Sequence, residues 1–198
     1  KVGASNASGV NNGIIIINNG GTGDASLQFD YESNAARAKI YVYRSDQALR
    51  IDTAGSERLR ITSSGGVTLS NGELIEKCYI NSTAWSTTGT VNLDNGMVQY
   101  NSANLAGTTN TLDIISSTGI NTSMATGDMM SVTCITAVNA ATAYVDNITI
   151  DGIAATESWV GGSAPTDGGS SGVDTYAFNI IKTADATFVV IANQVKTS

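Results

Sequence analysis

The chain of 198 residues contains no histidine. This absence excludes Ser-His and Cys-His nucleophile pairs, zinc sites with histidine ligands, and a proton shuttle that titrates near neutral pH. Most hydrolase mechanisms are excluded with them. We therefore predict a protein that is not an enzyme, with no catalytic residue, no metal site and no cofactor.

Long apolar runs are also missing from the sequence. No stretch approaches the roughly 18 apolar residues that a membrane-spanning helix requires, so no membrane insertion is predicted. The first residue, Lys1, is not followed by a signal-peptide pattern. We expect the chain to be a piece of a longer protein.

Cysteine is scarce, and both cysteines lie in apolar, strand-like settings. Cys78 and Cys134 are too few to form a disulfide scaffold or a metal knuckle. We predict two buried, reduced thiols, because nothing in the sequence indicates an oxidising compartment. A disulfide between them is the alternative.

Basic residues are nearly absent from the second part of the chain. Residues 78–198 carry nine acidic residues against Lys182 and Lys196, so the whole net charge of −7 lies there, whereas residues 1–77 are neutral. Binding to phosphate backbones requires clustered Lys and Arg. The charge therefore disfavours nucleic acid as a partner and favours a solubilising acidic surface, although the acidic residues leave a cation site open.

The residues that are abundant indicate an all-β protein. There are 21 glycines against one proline, 24 threonines, and 19 isoleucines against only 8 leucines. β-Branched residues favour strands, and straight-chain helix formers are few. We predict two domains, a repetitive β region over residues 1–77 and a β-sandwich over residues 78–198.

The first domain repeats a unit of one short strand and one turn. An apolar run at Ile14–Ile17 lies between Asn-Gly turns, and period-two alternation predicts further strands over residues 26–33, 38–45 and 48–52. The stretch "ALRIDTAGSERLRITSSGGVTL" then places two apolar residues on one face of each strand. Such ribbons are marginal alone. We therefore predict that three copies wind into a homotrimeric shaft that turns Arg50, Arg58 and Arg60 outward, paired with Asp52 and Glu57.

The second domain contains eight candidate strands separated by Gly, Asn, Asp and Ser turns. They are predicted over residues 89–93, 97–101, 111–115, 129–138, 143–152, 155–160, 173–183 and 187–193. Eight antiparallel strands indicate a jelly-roll-like sandwich. Alternation predicts that Tyr176, Phe178 and Ile180 face the core, and the glycine-rich connection over residues 160–174 has a flexible composition.

Two stretches resemble known phage proteins. The stretch "GSERLRITSSGGVTL" (Gly55–Leu69) is similar to the strand-turn repeat of tail fibres and other appendages of marine tailed bacteriophages. Residues 147–194, with "WVGG", the lone Pro165 and "YAFNIIKT", resemble a C-terminal domain of virion structural proteins of cyanophage-like viruses. After Val67 the chain has "TLSNG" in place of the usual ending of the repeat.

The resemblance implies a role in the virion. It implies a trimeric tail fibre, made in the host cytoplasm, that joins other virion proteins on its N-terminal side and contacts a host cell-surface glycan or protein with its distal head. The same design would serve a head fibre or a capsid-decoration protein. A polysaccharide depolymerase is a further alternative, and a bacterial adhesin is another.

Receptor contact is assigned to Trp159, which immediately precedes the glycine-rich connection, and to Asp167, which lies within it. Trp159 could stack on a sugar ring, with Trp85 as a second candidate, while the competing interpretation places each tryptophan in the core. The carboxylates of Asp146, Asp151, Glu157 and Asp167 could form a catalytic pair or a calcium site. Their spacing does not support this, because Asp at strand ends commonly satisfies backbone groups.

Overall fold

A computed structural model of the chain describes residues 24–31, 34–85, 87–105 and 110–198. The chain divides after Ile75 into two compact units, called unit 1 and unit 2 below. Both are built almost entirely from strands, which confirms the prediction of an all-β protein. The strand predicted at Ile14–Ile17 lies outside the described residues. Within them, no helix has the length and apolarity to cross a bilayer.

In its described residues, unit 1 is an antiparallel sheet of five strands in chain order. The strands are β1 (Ala25–Tyr31), β2 (Asn34–Tyr43), β3 (Ala48–Thr53), β4 (Ser56–Ile61) and β5 (Val67–Leu69). The hairpin between β3 and β4 turns through Ala54 and Gly55, whose φ angles are 51° and 75°. Two residues with positive φ are what a tight hairpin that follows the right-handed strand twist requires.

One face of this sheet is apolar and exposed. The strand register places leucine, isoleucine, valine and phenylalanine side chains in neighbouring positions on that face. They retain between 37% and 67% of their accessible surface. We call this surface the apolar face, and its exposed members are Leu27, Phe29, Ile40, Val42, Leu49, Ile61, Val67 and Leu69.

The opposite face of unit 1 carries charges and two tyrosines. Glu57 accepts both guanidinium hydrogen bonds of Arg60 at 2.9 Å and lies 3.1 Å from Arg50. Arg50 also pairs with Asp46 at 2.5 Å and stacks 4.0 Å above the ring of Tyr43. The predicted pairing with Glu57 is confirmed for Arg50 and Arg60, and Asp46, not Asp52, provides the second carboxylate. Arg58 donates instead to Thr53 Oγ1 at 3.1 Å.

Unit 2 contains two sheets. The six-stranded sheet has the order β13-β15-β14-β10-β8-β6 and the four-stranded sheet the order β12-β11-β9-β7. The strands are β6 (Tyr79–Asn81), β7 (Thr88–Asn92), β8 (Val98–Asn104), β9 (Asn110–Ile115), β10 (Met129–Ala137), β11 (Val145–Ile150), β12 (Ile153–Ala154), β13 (Thr156–Trp159), β14 (Val173–Ala184) and β15 (Thr187–Lys196). A 3-10 turn (Leu93–Asn95) follows β7, and the one-turn helix α1 (Ile120–Ser123) precedes β10.

Both sheets contribute to one hydrophobic core. Leu112, Ile114 and Ile148 of the four-stranded sheet and Phe178 and Val190 of the six-stranded sheet belong to the same cluster and are at most 1% exposed. Unit 2 is therefore a two-layer sandwich. Each of the eight strands predicted from the sequence is present in it, and the short β6, β12 and α1 were not predicted.

The expected antiparallel arrangement is wrong for part of unit 2. The pairs β6 with β8, β8 with β10, β7 with β9, β9 with β11, and β13 with β15 run parallel. Jelly rolls are built from antiparallel strands. The structure confirms the two-sheet sandwich and does not confirm a jelly roll.

Candidate functional site

Trp159 is the last residue of β13, an edge strand of the six-stranded sheet. Alternation along β13 directs Glu157 and Trp159 toward the inside and leaves Thr156 and Ser158 exposed. The indole ring is half-buried and packs against the core. Its Nε1–H donates to Glu157 Oε2 at 2.7 Å, so the ring's position is set by a hydrogen bond as well as by packing.

Glu157 joins the two sheets at this edge. Its second oxygen, Oε1, accepts the backbone N–H of Ile148 in β11 at 2.6 Å. A buried backbone N–H without a partner is costly. The carboxylate of Glu157 therefore has a structural role on both of its oxygens, which accounts for one of the carboxylates considered for catalysis.

The glycine-rich connection leaves β13 through a sharp turn. Gly161 and Gly162 have φ angles of 95° and 93°, a region that favours glycine. The Gly162 N–H donates to the Trp159 carbonyl oxygen at 3.0 Å. This turn carries the chain away from the sheet immediately after the tryptophan.

The second part of the connection is packed tightly and not free, in contrast to what its composition suggested. Gly168 and Gly169 are buried, and the Gly169 N–H donates to Asp174 Oδ2 at 2.9 Å. A Cβ on Gly169 would lie 2.6 Å from Asp174 Oδ1 and 3.2 Å from a methyl carbon of Val138. Glycine is required here because the backbone itself approaches the buried carboxylate.

Asp174 is the centre of a buried hydrogen-bond network at the start of β14. Its side chain is fully buried, and Gln194 Nε2 donates to Asp174 Oδ2 at 3.1 Å. The same Gln194 amide lies 3.0 Å from the hydroxyl of Tyr176, which accepts the Val145 N–H. Burial raises the pKa of Tyr176 well above its ordinary value, so this phenol stays protonated.

Trp159 and Asp167 line one open pocket of about 240 Å³. Pro165, Asn193 and Gln194 also line it. The Asp167 carboxylate is largely exposed and pairs with Lys196 at 2.8 Å. The structure thus brings together the two residues that the sequence assigned to receptor contact. We call this the Trp159 pocket.

The Trp159 pocket has the chemistry of a shallow polar binding site. Its lining includes Trp159, the carboxylate-bearing Asp167 and the amide-bearing Asn193 and Gln194, of which Gln194 already donates to Asp174 and Tyr176. Amides both donate and accept hydrogen bonds, whereas the carboxylate accepts them. An aromatic ring beside a few convergent polar groups suits a small ligand that is rich in hydroxyl groups.

The other candidate carboxylates are not gathered at this pocket. Asp151 lies in the turn between β11 and β12, and its Oδ2 accepts the Asn121 N–H at 3.0 Å. Asp146 lies on β11. In the parts of the chain that the structure describes, no group of three potential metal ligands occurs.

Trp85 is a core residue. It is 8% exposed and belongs to the hydrophobic cluster of unit 2. Its ring lies over Gly89, where any Cβ would overlap it. The core interpretation is confirmed for this tryptophan, while Trp159 both packs against the core and lines the pocket.

The two cysteines are free thiols in different environments. Cys134 is buried, and burial raises its pKa to about 12, so it remains a thiol. Cys78 is exposed. No disulfide joins the two cysteines, and the prediction that both are buried is wrong for Cys78.

Lys182 is a buried residue that the sequence analysis missed. It is 6% exposed, and its Nζ donates to the carbonyl oxygens of Asn121 at 2.5 Å and Met124 at 3.0 Å. Alternation along β14 directs positions 174 to 182 inward at every second residue. That signal would have found both Lys182 and Asp174, but not their partners.

No protein-family model matches this chain, and no curated protein or solved structure matches it significantly.

Proposed function

We propose that the chain is a structural component of a phage virion, a homotrimeric tail fibre whose unit 2 contacts the host cell surface without enzymatic activity. The observation that carries the proposal is the apolar face of unit 1. A sheet with one apolar face is stable only when another layer covers that face. Over residues 24–31 and 34–75, which the structure describes in unit 1, the sheet is a single layer, and we infer that the covering layer comes from another chain.

Copies of unit 1 itself would provide that layer. Three sheets around one axis would direct their apolar faces inward and keep the face with Arg50, Glu57 and Arg60 in water. Closed symmetry also leaves no apolar face uncovered. This arrangement is the shaft that the repeated strand-turn units favour.

The assignment to a virion rests on the resemblance of Gly55–Leu69 and residues 147–194 to phage appendage proteins. The N-terminal side would join other virion proteins. A non-enzymatic role is supported by Glu157 and Asp151, because both carboxylates accept hydrogen bonds from backbone amides.

Host contact is assigned to the Trp159 pocket, with a cell-surface glycan as the ligand. A shallow pocket of about 240 Å³ contacts only a small part of a glycan, so each contact would be weak. Three pockets on each fibre would raise the overall avidity without any tight single site.

The mass of the full chain in solution, measured by light scattering, tests the shaft. We expect three copies. Val67→Glu, on the apolar face of β5, should release monomers because three carboxylates would be buried at the axis. Thr68→Glu is the matched control, since the neighbouring side chain lies on the opposite face of the same strand. A monomeric wild-type chain would disprove the shaft.

Binding of the trimer to an array of bacterial surface glycans tests the pocket. Trp159→Phe and Asp167→Asn should each weaken binding. The first replaces the indole with a smaller ring, and the second replaces the charged carboxylate with a neutral amide. Asp146→Asn removes a charge from β11 and should leave binding unchanged. Equal binding by all four proteins would place receptor contact elsewhere.

A further inference from the structure

Among the residues that the structure describes, none with a charged side chain lies on the outer face of the six-stranded sheet in unit 2. At alternate positions β8, β10, β14 and β15 direct buried residues inward, and the remaining positions point outward. The outward residues are Val, Ile, Met, Tyr, Ala, Thr, Ser and Asn. Several are strongly exposed, among them Ile80 (64%), Met129 (62%), Val195 (54%) and Ile191 (40%). We call this surface the charge-free face.

The charge-free face is unexpected in a domain that contains all of the net charge of −7. Asp174 and Lys182 lie on the inward side of β14, and Asp113 lies on β9 of the other sheet. The other ionised residues lie in turns, in loops, in β11, on the inward side of β13, or at the end of β15. Depletion of charged residues distinguishes the core of an interface from ordinary surface.

The opposite side of the sandwich provides the contrast. On the outer face of the four-stranded sheet, Asn147 Nδ2 donates to Thr111 Oγ1 at 3.0 Å, and Thr149 Oγ1 donates to Asp113 Oδ1 at 2.7 Å. That face is polar, hydrogen-bonded and partly charged. Polar pairs occur on the charge-free face as well, where Ser131 Oγ donates to Asn179 Oδ1 at 2.7 Å, so the two outer faces of the sandwich differ in charge.

We propose that the charge-free face packs against the charge-free faces of other copies of this chain, so that the unit 2 sandwiches associate with one another as the unit 1 sheets do. This inference rests on the proposed trimer. Association through unit 1 would hold the sandwiches at millimolar effective concentration. Acidic domains held that close repel one another, and the charge-free face is where copies can meet without placing like charges opposite each other.

A second copy fits this face better than an unrelated partner. A basic partner would be attracted to the acidic loops and turns, not to a surface without charge. Sheet faces pack about 10 Å apart through interdigitating side chains. Identical faces that combine small residues such as Ala177 with larger ones such as Ile135 and Ile191 can interdigitate in this way.

Chemical cross-linking of the full chain tests the proposal. In a Cys78→Ser background, Ala177→Cys or Ile191→Cys places a thiol on the charge-free face, and Thr90→Cys places one on the exposed outer side of β7 as the control. Buried Cys134, with its pKa raised to about 12, does not react. A short bis-maleimide is added, and cross-linked chains are counted on a denaturing gel.

We expect several-fold more cross-linked chain from Ala177→Cys and Ile191→Cys than from Thr90→Cys. Adding Ala177→Asp to Ile191→Cys should abolish the excess while the tryptophan emission of folded unit 2 is retained. If the chain is an oligomer by light scattering but all three thiols cross-link equally or not at all, this inference is wrong and the proposed shaft stands. A monomer would overturn both.

Discussion

Unit 1 and unit 2 use the same strand pattern and reach opposite results. In both, apolar residues alternate with polar ones along short strands. In unit 2 the second sheet covers the apolar side, so Phe178 is 1% exposed, whereas Phe29 on the apolar face of unit 1 is 53% exposed. Alternation decides which side of a strand is apolar, but only a second layer decides whether that side is buried.

The comparison also explains where charge is found. In unit 1 the ion pairs lie on the face opposite the apolar face, where Glu57 lies between Arg50 and Arg60. Unit 2 satisfies its polar groups at the ends of the core, around Asp174 and Lys182. The single sheet of unit 1 thus places polar and apolar residues on opposite faces. The sandwich of unit 2 also places buried polar residues at the ends of its core strands.

Truncating one phenylalanine in each unit is the strongest test of this comparison. Phe178→Ala should lower the free energy of unfolding of unit 2 by about 3–5 kcal/mol, because it leaves a cavity in a packed core. Phe29→Ala should change that free energy by less than about 0.5 kcal/mol. Urea unfolding followed by tryptophan emission measures it, since Trp85 and Trp159 both lie in unit 2.

The same pair of variants should behave in the reverse way in a mass measurement. Phe29→Ala should shift the proposed trimer toward monomer at low protein concentration, because Phe29 would contact other copies in that trimer. If Phe29→Ala destabilised unit 2 as much as Phe178→Ala, the two units would not differ in the way described above.

The sequence predicted the strands well and their neighbours poorly. Alternation located β14 and its inward residues Tyr176, Phe178 and Ile180, because side-chain direction is a local property of a strand. It could not show that β8 and β10 lie side by side and parallel, since that pairing depends on contacts between residues far apart in the chain. The assumption of antiparallel neighbours failed for this reason.

Only part of the candidate site could be predicted, again because some of its contacts join residues far apart in the chain. Trp159 stood out because it is an aromatic residue that immediately precedes the glycine-rich stretch, and Asp167 is an acidic residue within that stretch. The packing of that stretch could not be predicted, because Gly169 is positioned by Asp174 and Asp174 by Gln194, twenty residues further along. Composition reports flexibility of the free chain and not the contacts it makes.

Packing of the glycine-rich connection can be tested with Gly169→Ala. We expect a loss of about 1–3 kcal/mol in the free energy of unfolding of unit 2, because the added Cβ would lie 2.6 Å from Asp174 Oδ1. Ser170→Ala, at the next and exposed position, is the control and should cost under about 0.5 kcal/mol. Urea unfolding by tryptophan emission again gives the values.

A double-mutant cycle makes this test specific to the contact. Asp174→Ala removes the carboxylate that the new methyl group would meet, so the cost of Gly169→Ala should be smaller in that background. Additive costs would show that the connection does not depend on Asp174. In that case the glycine-rich connection would be flexible, as its composition suggested, and not held by packing against Asp174.

Acid unfolding of unit 1 is the smallest expected effect and tests the charged face. The hydrogen bonds from Arg60, followed by the charges of Arg60 and Arg50, lower the pKa of Glu57. A carboxyl with a lowered folded-state pKa stabilises the fold at neutral pH, and that stabilisation is lost as the pH falls below the ordinary glutamate range. Glu57→Gln should therefore reduce the stability of unit 1 at neutral pH and make that stability less sensitive to acid, as measured by amide exchange in β3 and β4.

Glu73→Gln, which changes an exposed glutamate outside this cluster, should keep the wild-type acid profile. An unchanged profile for Glu57→Gln would mean that the charged face contributes solubility alone, and that unit 1 depends for its stability on its apolar face.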